Sequence, residues 1–340
     1  MANMNIITPR FYVDQVSYLL SRGITQNGEF DLVTGTNLIA LQTGTEPEIF
    51  DMKPLNKVDF NTSASRTDHV LINIDTQSTT TKKSFVAILN HNLNSCTGKI
   101  SIGGGTAAGH INNEDFAGGH FAPSCTEVIN ADTISTNVIT PATDGHTIVT
   151  FPETNQRYWG IQFEGSDSGN FDASTDLFFG CVLFGEYYDM PHSPNLAVKR
   201  SIDFDKIELQ ESLGGQRYSN AISFGRQASS VTKSPFTNAV DGSQIYGGRI
   251  NYDMTFSYLN STDLMPDNYD SVINNATDDA VVEDIWNKTN GRHIPFIFTA
   301  DGSSTSESDY LFARFGNDRL DMTQVSHNIW DISLKIEEEF

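Results

Sequence analysis

The stretch HIPFIFTADGSSTSESDYLFARF, residues His293 to Phe315, sets two apolar runs on either side of a tip made of Gly, Ser, Thr, Asp and Glu. The runs IPFIFTA and DYLFARF read as paired strands, and the tip reads as a solvated loop. No side chain in it stands beside a base, and none belongs to a metal-ligand pattern. The hairpin is built from packing residues alone.

The rest of the chain has the same character. Hydrophobic residues make up 38% of the 340 and charged residues only 19%, with 22 Phe and 11 Tyr to fill cores. The polar remainder is rich in Asn, Thr, Ser, Asp and Gly. Asn, Asp and Ser compete with the helical backbone, and Gly, Asn and Asp make turns, so strands and loops are favoured. The length suits two domains.

The formal charge of −22 repels phosphate backbones and anionic membrane surfaces. Lys82-Lys83 and Lys199-Arg200 are isolated basic pairs rather than a patch, so neither nucleic acid nor membrane is expected as a partner. Cys96, Cys125 and Cys181 are odd in number and lack CxxC spacing, which reads as free thiols from a reducing compartment. The start MANMNIITPRFYVDQ lacks a basic region followed by an apolar stretch, and no run reaches transmembrane length. Synthesis in a cytoplasm without a cleavable export signal is the expectation. The sequons at Asn61, Asn260, Asn275 and Asn287 then carry no meaning.

Strand signals recur through the first half: NLIALQT, HVLINID, KSFVAIL, GKISIGG, HTIVTF, YWGIQFEG and LFFGCVLFGEYY. Turn-rich segments separate them, which predicts a β-sandwich of the jelly-roll kind over residues 1–194. The stretch from Gly103 to Ser124 reads as a loop insertion and an assembly arm. YYDMPHSPNLAVKR, with two prolines, marks a boundary near Pro194. Over 195–340 the strand candidates are RSIDFDKIELQES, RYSNAISFG, GGRINYDMTFSYL, the opening hairpin and NIWDISLKIEE. One helix is predicted in TDDAVVEDIWNKTNG, with Thr277 as N-cap, Asp278 and Asp279 at its positive end, and Val281, Val282, Ile285 and Trp286 on one apolar face. Lys288 falls in its last turn and Gly291 suits the position after it. The second half is therefore expected to be a β-sandwich flanked by one helix.

Several groupings were weighed for chemistry. IGGGTAAG follows a strand, but no helix start or GK[ST] follows it, so a flexible loop outweighs a phosphate cradle. His110, Glu114, Asp115 and His120 share a loop, at a spacing that matches no established zinc pattern. Asp167, Asn170, Asp172 and Asp176 offer oxygen ligands for calcium without EF-hand order, and an acidic turn is the plainer reading. Cys96 lies near His91 in a turn-like stretch, where an idle thiol is favoured over a nucleophile. Phe184, Tyr187 and Tyr188 could stack on a sugar, but core closure is favoured. GxSxG and HExxH are missing, and no carboxylate pair is singled out by its context. The expectation is no catalytic, cofactor-binding or metal residue, and no enzyme.

KSFVAILNHNLNS, RYWGIQFEG and LFFGCVLFGEYYDMP together resemble virion structural proteins of tailed bacteriophages that carry a galactose-binding-like jelly roll. LQESLGGQRYSN, YGGRINYDMTFSYL, VVEDIWNKTNGRHIPFIFTADG, YLFARF and WDISLKIEEE resemble the β-sandwich-plus-helix module of phage tail-tube and distal-tail proteins. The resemblance covers most of the chain and carries no catalytic residue. It implies a distal-tail or baseplate ring subunit that joins the tail tube to tip or fibres, partnered by copies of itself and by other tail proteins, and located in the virion after assembly in a bacterial host's cytoplasm. The loop Asp301 to Asp309 and the edge of GGRINYDMTFSYL are the expected contacts. The alternative is a jelly-roll carbohydrate-binding or host-recognition protein at a fibre base, with a host glycan as partner; a glycan depolymerase is a third reading. Fold alone does not choose among these.

Overall fold

The computed structural model describes residues 7–23, 30–112, 116, 118–203, 209–219, 249–266 and 279–339. The chain is mainly β, in antiparallel sheets. The largest is an eleven-stranded sheet. Across it the order is Lys199–Asp203 (β15), Arg249–Asn260 (β18), Ile329–Glu338 (β22), Tyr310–Phe315 (β20), Phe296–Thr299 (β19), Arg10–Asp14 (β1), Cys181–Asp189 (β14), Lys83–His91 (β6), Gly145–Thr154 (β11) and Glu127–Ile129 (β8), with Met322–Ser326 (β21) pairing β22 off this path. A six-stranded sheet runs Phe30–Val33 (β2), Val70–Asp75 (β5), Tyr158–Gly165 (β12), Gly98–Gly105 (β7), Val138–Pro141 (β10) and Ala131–Ser135 (β9). Leu177–Phe179 (β13), Val58–Phe60 (β4) and Leu41–Thr43 (β3) form a three-stranded sheet, and Leu209–Glu211 (β16) pairs with Arg217–Ser219 (β17).

Period-two alternation decides which core each side chain enters. On β6, Val86 and Ile88 face the six-stranded sheet and join Ile72, Ile102, Trp159 and Ile161 in one apolar core. The intervening Phe85, Ala87 and Leu89 face the other way, into a second core with Tyr12, Leu183, Ile297, Tyr310 and Phe312. A third core gathers Phe11, Met254, Phe256, Ile285, Phe296, Phe298, Phe315, Leu334 and Ile336. The opening hairpin therefore feeds two cores at once, through alternate residues of β19 and β20.

The unexpected element is β1. It pairs with β14 on one side (Phe11 opposite Tyr188) and with β19 on the other (Phe11 opposite Phe298). The first ten-odd described residues thus join the two halves of the chain into one hydrogen-bonded sheet. A helix, α1 (Gln15–Ser21), follows directly, capped by Asp14, whose side chain accepts from the Ser17 amide at 2.6 Å. Five residues of strand are too short a run to stand out by period, and α1 adds only two turns.

The boundary expected near Pro194 falls where the chain leaves β14 and re-enters the sheet as β15. The second core, however, is shared between the halves, and β1 bonds to both. Cleavage near Pro194 should therefore yield fragments that elute together under native conditions. Separation without denaturant would show that the shared sheet does not hold them.

Other expectations are modified in detail. LFFGCVLFGEYY is two strands divided at Gly180, where a Cβ would come 1.9 Å from the Pro54 carbonyl oxygen. NLIALQT contributes only β3. The segment after β7 does not project as an arm where it is described: Ile111 and Phe116 lie on Leu71, Val33 and Tyr158. The flanking helix is wound as a π-helix over Val281–Asn287, after Ala280. Thr277 and Asp278 lie outside the described residues. Val281, Val282 and Ile285 are buried, whereas Trp286 is half-buried against Phe315 at 5.2 Å. Asn290 and Gly291 then turn with positive φ, and the Gly291 amide donates to the Trp286 carbonyl at 2.8 Å.

Candidate functional site

The even residues of β14 all face one side. Val182 and Phe184 enter the core under the six-stranded sheet, and Tyr188 and Met190 enter the core beneath the π-helix. Glu186 lies between them, directly opposite Val13 of β1. A carboxylate at this point is taken out of water and needs a cation. Lys288 supplies it from the end of the π-helix, with Nζ 3.0 Å from Glu186 Oε2 and 2.9 Å from Asp284 Oδ1. The Lys288 side chain is 4% exposed and that of Glu186 8%. The other oxygen of Asp284 accepts from the Ala280 amide at 2.8 Å. Burial, only partly offset by Lys288, pushes the Glu186 carboxyl up to about 7. Burial works against the charge on Lys288, but Asp284 and Glu186 more than offset it and hold its pKa above the ordinary lysine value.

The basic pair Lys82-Lys83 splits across the sheet at the same place. Lys83 is fully buried and donates to the carbonyls of Ser78 at 3.0 Å and Thr81 at 2.7 Å. Burial, with the charge of Lys288 nearby, pushes its amine down to about 7. Lys82 faces outward and bridges Glu153 at 3.2 Å and Asp279 at 2.5 Å. Carboxylate oxygens of Glu153, Glu186 and Asp279 lie within 4.8 Å of one another, the one such group of potential metal donors among the described residues. Lys82 already stands against two of them, so the chain supplies the cation itself. The sequence reading did not pick out this network. Its signal was there: a Glu on the apolar parity of β14, and a Lys four residues after an Asp within an apolar helix.

These buried groups set an expected pH dependence. Burial raises the Asp14 carboxyl from 3.8 to about 6, against hydrogen bonds from the Phe184 and Ser17 amides. A raised folded-state pKa contributes stability that is full below about 4 and lost as pH rises through about 6. Lys83 has the opposite sign: its pKa is lowered, so its contribution is full above the ordinary 10.5 and lost as pH falls through about 7. Lys83→Met should therefore flatten the rise in urea midpoint expected between about pH 7 and 10. A variant with the same alkaline slope as the parent would place the Lys83 amine in water.

The groupings weighed from sequence are placed as follows. The glycines that end β7, Gly103 to Gly105, make room for covering side chains: a Cβ at Gly103 would meet the Phe116 ring at 3.1 Å, and one at Gly105 would meet His110 at 2.7 Å. His110 packs between Gly105 and Gly119, His120 stacks near Phe116, and Glu114 and Asp115 lie outside the described residues. Asp172 and Asp176 accept from the backbone amides of Ser174 and Ser63 rather than converging. Cys96 is buried with its thiol pushed up to about 12 by burial, and His91, held down to about 3 by burial, bonds Thr147 Oγ1 at 2.9 Å. Phe184 and Tyr188 are core residues, and Arg10 lies over the Tyr187 ring at 4.2 Å. A polar pocket of about 330 Å³ between β15, β18 and β22 is lined by Arg249, Arg292, Arg314, Asp203 and Glu337–Glu339. Within it Arg314 pairs with Glu339 at 2.8 Å.

The surface offers a different kind of site. β18 is not an edge, since β15 and β22 flank it. The edge is β15, with no strand on its outer side among the described residues and with Ile202 53% exposed. Beside it in sequence, the β16–β17 hairpin is exposed throughout residues 209–218, including Leu209, Leu213 and Tyr218. Leu196, before β15, is fully exposed as well. The loop Asp301 to Asp309 is partly engaged within its own chain: Tyr310 donates to the Ser304 carbonyl, and Glu307 lies 3.7 Å from His146. No helix among the described residues is long and apolar enough to cross a membrane. No family model matches this sequence, and neither a curated protein nor a solved structure matches it.

Proposed function

We propose that this protein is architectural and works by self-association, as a ring subunit of a bacteriophage distal tail or baseplate that connects the tail tube to tip or fibres. The observation that carries the reading is β15, an edge strand among the described residues, followed in sequence by an exposed hairpin that carries Leu209, Leu213 and Tyr218. An unpaired edge is a template for a neighbouring strand, and natural proteins usually blunt one with charges or cover it. This edge carries the charges Lys199, Arg200 and Asp203 but also keeps Ile202 exposed, and Leu196, Leu209 and Leu213 are exposed near it in sequence. A contact between two different surfaces of identical subunits closes a ring when its rotation allows. The resemblance to phage tail modules supplies the biological setting, with the N-terminal half as the jelly roll and other tail proteins as further partners.

The acidity adds a condition. Subunits of charge −22 repel over about 10 Å at 0.1 M salt, so added salt should favour assembly. Ile202→Lys places a cation on an exposed edge position without touching a core. It should shift the oligomer toward monomer at salt concentrations where the parent assembles, as read by light scattering. An unchanged oligomer would remove β15 from the contact. Saturable glycan binding by a protein that stays monomeric would favour the host-recognition alternative.

A further inference from the structure

Lys288 holds two buried carboxyl groups against one amine, where two apolar cores meet. Val13 stands opposite Glu186, Phe184 and Tyr188 flank it along β14, and Val281 and Ile285 lie on the helix. The charged groups facing the cluster are Lys83 from β6, Lys82 beside it, Glu153 from β11 and Asp279 before the helix. An amine and a carboxyl group in contact are the two reactants of an amide. We propose that Lys288 and Glu186 condense into an intramolecular isopeptide bond, with Asp284 transferring the protons, so that the π-helix is covalently tied to β14.

The two carboxyl groups are not equivalent, and the geometry assigns their roles. Asp284 accepts from the Ala280 amide through one oxygen and stands 2.9 Å from Lys288 Nζ through the other, which places it to take the proton from nitrogen. Glu186 is buried deep on the strand, where its neutral acid form is favoured, and an acid is the electrophile the reaction needs. Lys288, whose charge its two carboxyl neighbours favour, must first pass a proton to Glu186, leaving a neutral amine against a neutral carboxylic acid. Nζ attacks Cδ of Glu186, and the N–C bond forms. Asp284 takes the proton released from nitrogen and delivers it to the departing hydroxyl. The C–O bond breaks, one water leaves, and Asp284 is regenerated. Nothing is oxidised or reduced, and no co-reactant is required.

Two physical terms drive the step. Contact at 3.0 Å within a rigid frame replaces a bimolecular encounter, an advantage that reaches effective molarities of about 10⁵ M or more. Condensation also removes two charges from an apolar interior, where they are costly to hold. The bond would span the junction between two cores, and the inference does not depend on the assembly reading.

The test is the intact mass of the purified full chain under denaturing conditions, followed by peptide mapping. The expected result, after N-terminal processing is accounted for, is a mass one water below that of the sequence, with the Glu186 and Lys288 peptides recovered as one joined species. Glu186→Ala and Lys288→Arg should each restore the full mass, and Asp284→Ala should leave an unjoined fraction that persists. The full sequence mass in the parent protein overturns the proposal, because that measurement needs no variant to fold. A missing water without a joined peptide overturns it too, since dehydration has then occurred elsewhere.

Discussion

Lys288→Met should lower the unfolding free energy by roughly 3–5 kcal/mol, the range found when one partner of a buried pair is removed. The substitution keeps most of the side-chain volume and takes away the cation shared by Glu186 and Asp284. Two buried carboxyl groups then face each other with no cation in contact, and both the helix and β14 must give. A covalent join in the parent would place the loss at or beyond the upper end of the range. Adding Glu186→Leu should recover part of it, because an apolar side chain at that position continues the cores on either side. Urea unfolding of the parent, the single variant and the double variant reads both effects. A loss below about 1 kcal/mol for Lys288→Met would mean that the pair is solvated and worth only what a surface pair is worth.

Phe11→Ala should cost about 3–5 kcal/mol. Its ring is fully buried and lies 5.2 Å from Phe298, 5.6 Å from Phe296 and 6.1 Å from Phe315. The effect should reach further than a cavity, because β1 is the strand through which β14 and β19 are joined. Trp159 reports on the N-terminal half, and Trp286 and Trp330 on the C-terminal half. Probes of the two halves should therefore lose structure together, in the parent and at a lower denaturant concentration in the variant. Two separated transitions in the parent would contradict the single shared sheet.

Strands were legible where alternation ran long enough to show. KSFVAIL, YWGIQFEG, HTIVTF and NIWDISLKIEE all announce their register, and the structure places their alternate residues in different environments. RFYVD was hidden for two reasons. It is five residues long, and all but Arg10 are buried, so no polar face marks its period. The helix was legible by its apolar face, but its π winding was not. The network itself needed tertiary information. Glu186 and Lys288 are 102 positions apart, and local pattern does not show that β14 passes beneath the helix. GGRINYDMTFSYL looked like an edge because an alternating strand carries no label for how many neighbours it has. The glycines of β7 likewise gave no sign that rings would cover them.

We propose that the molecule acts by assembling with copies of itself. Molar mass of the purified protein, measured by sedimentation or light scattering at micromolar concentration across a salt series, tests it most directly. The account predicts closed oligomers of one defined size, favoured as salt rises and weakened by Ile202→Lys. A monomer at every salt concentration, with no such protein found in virion tails, would contradict it.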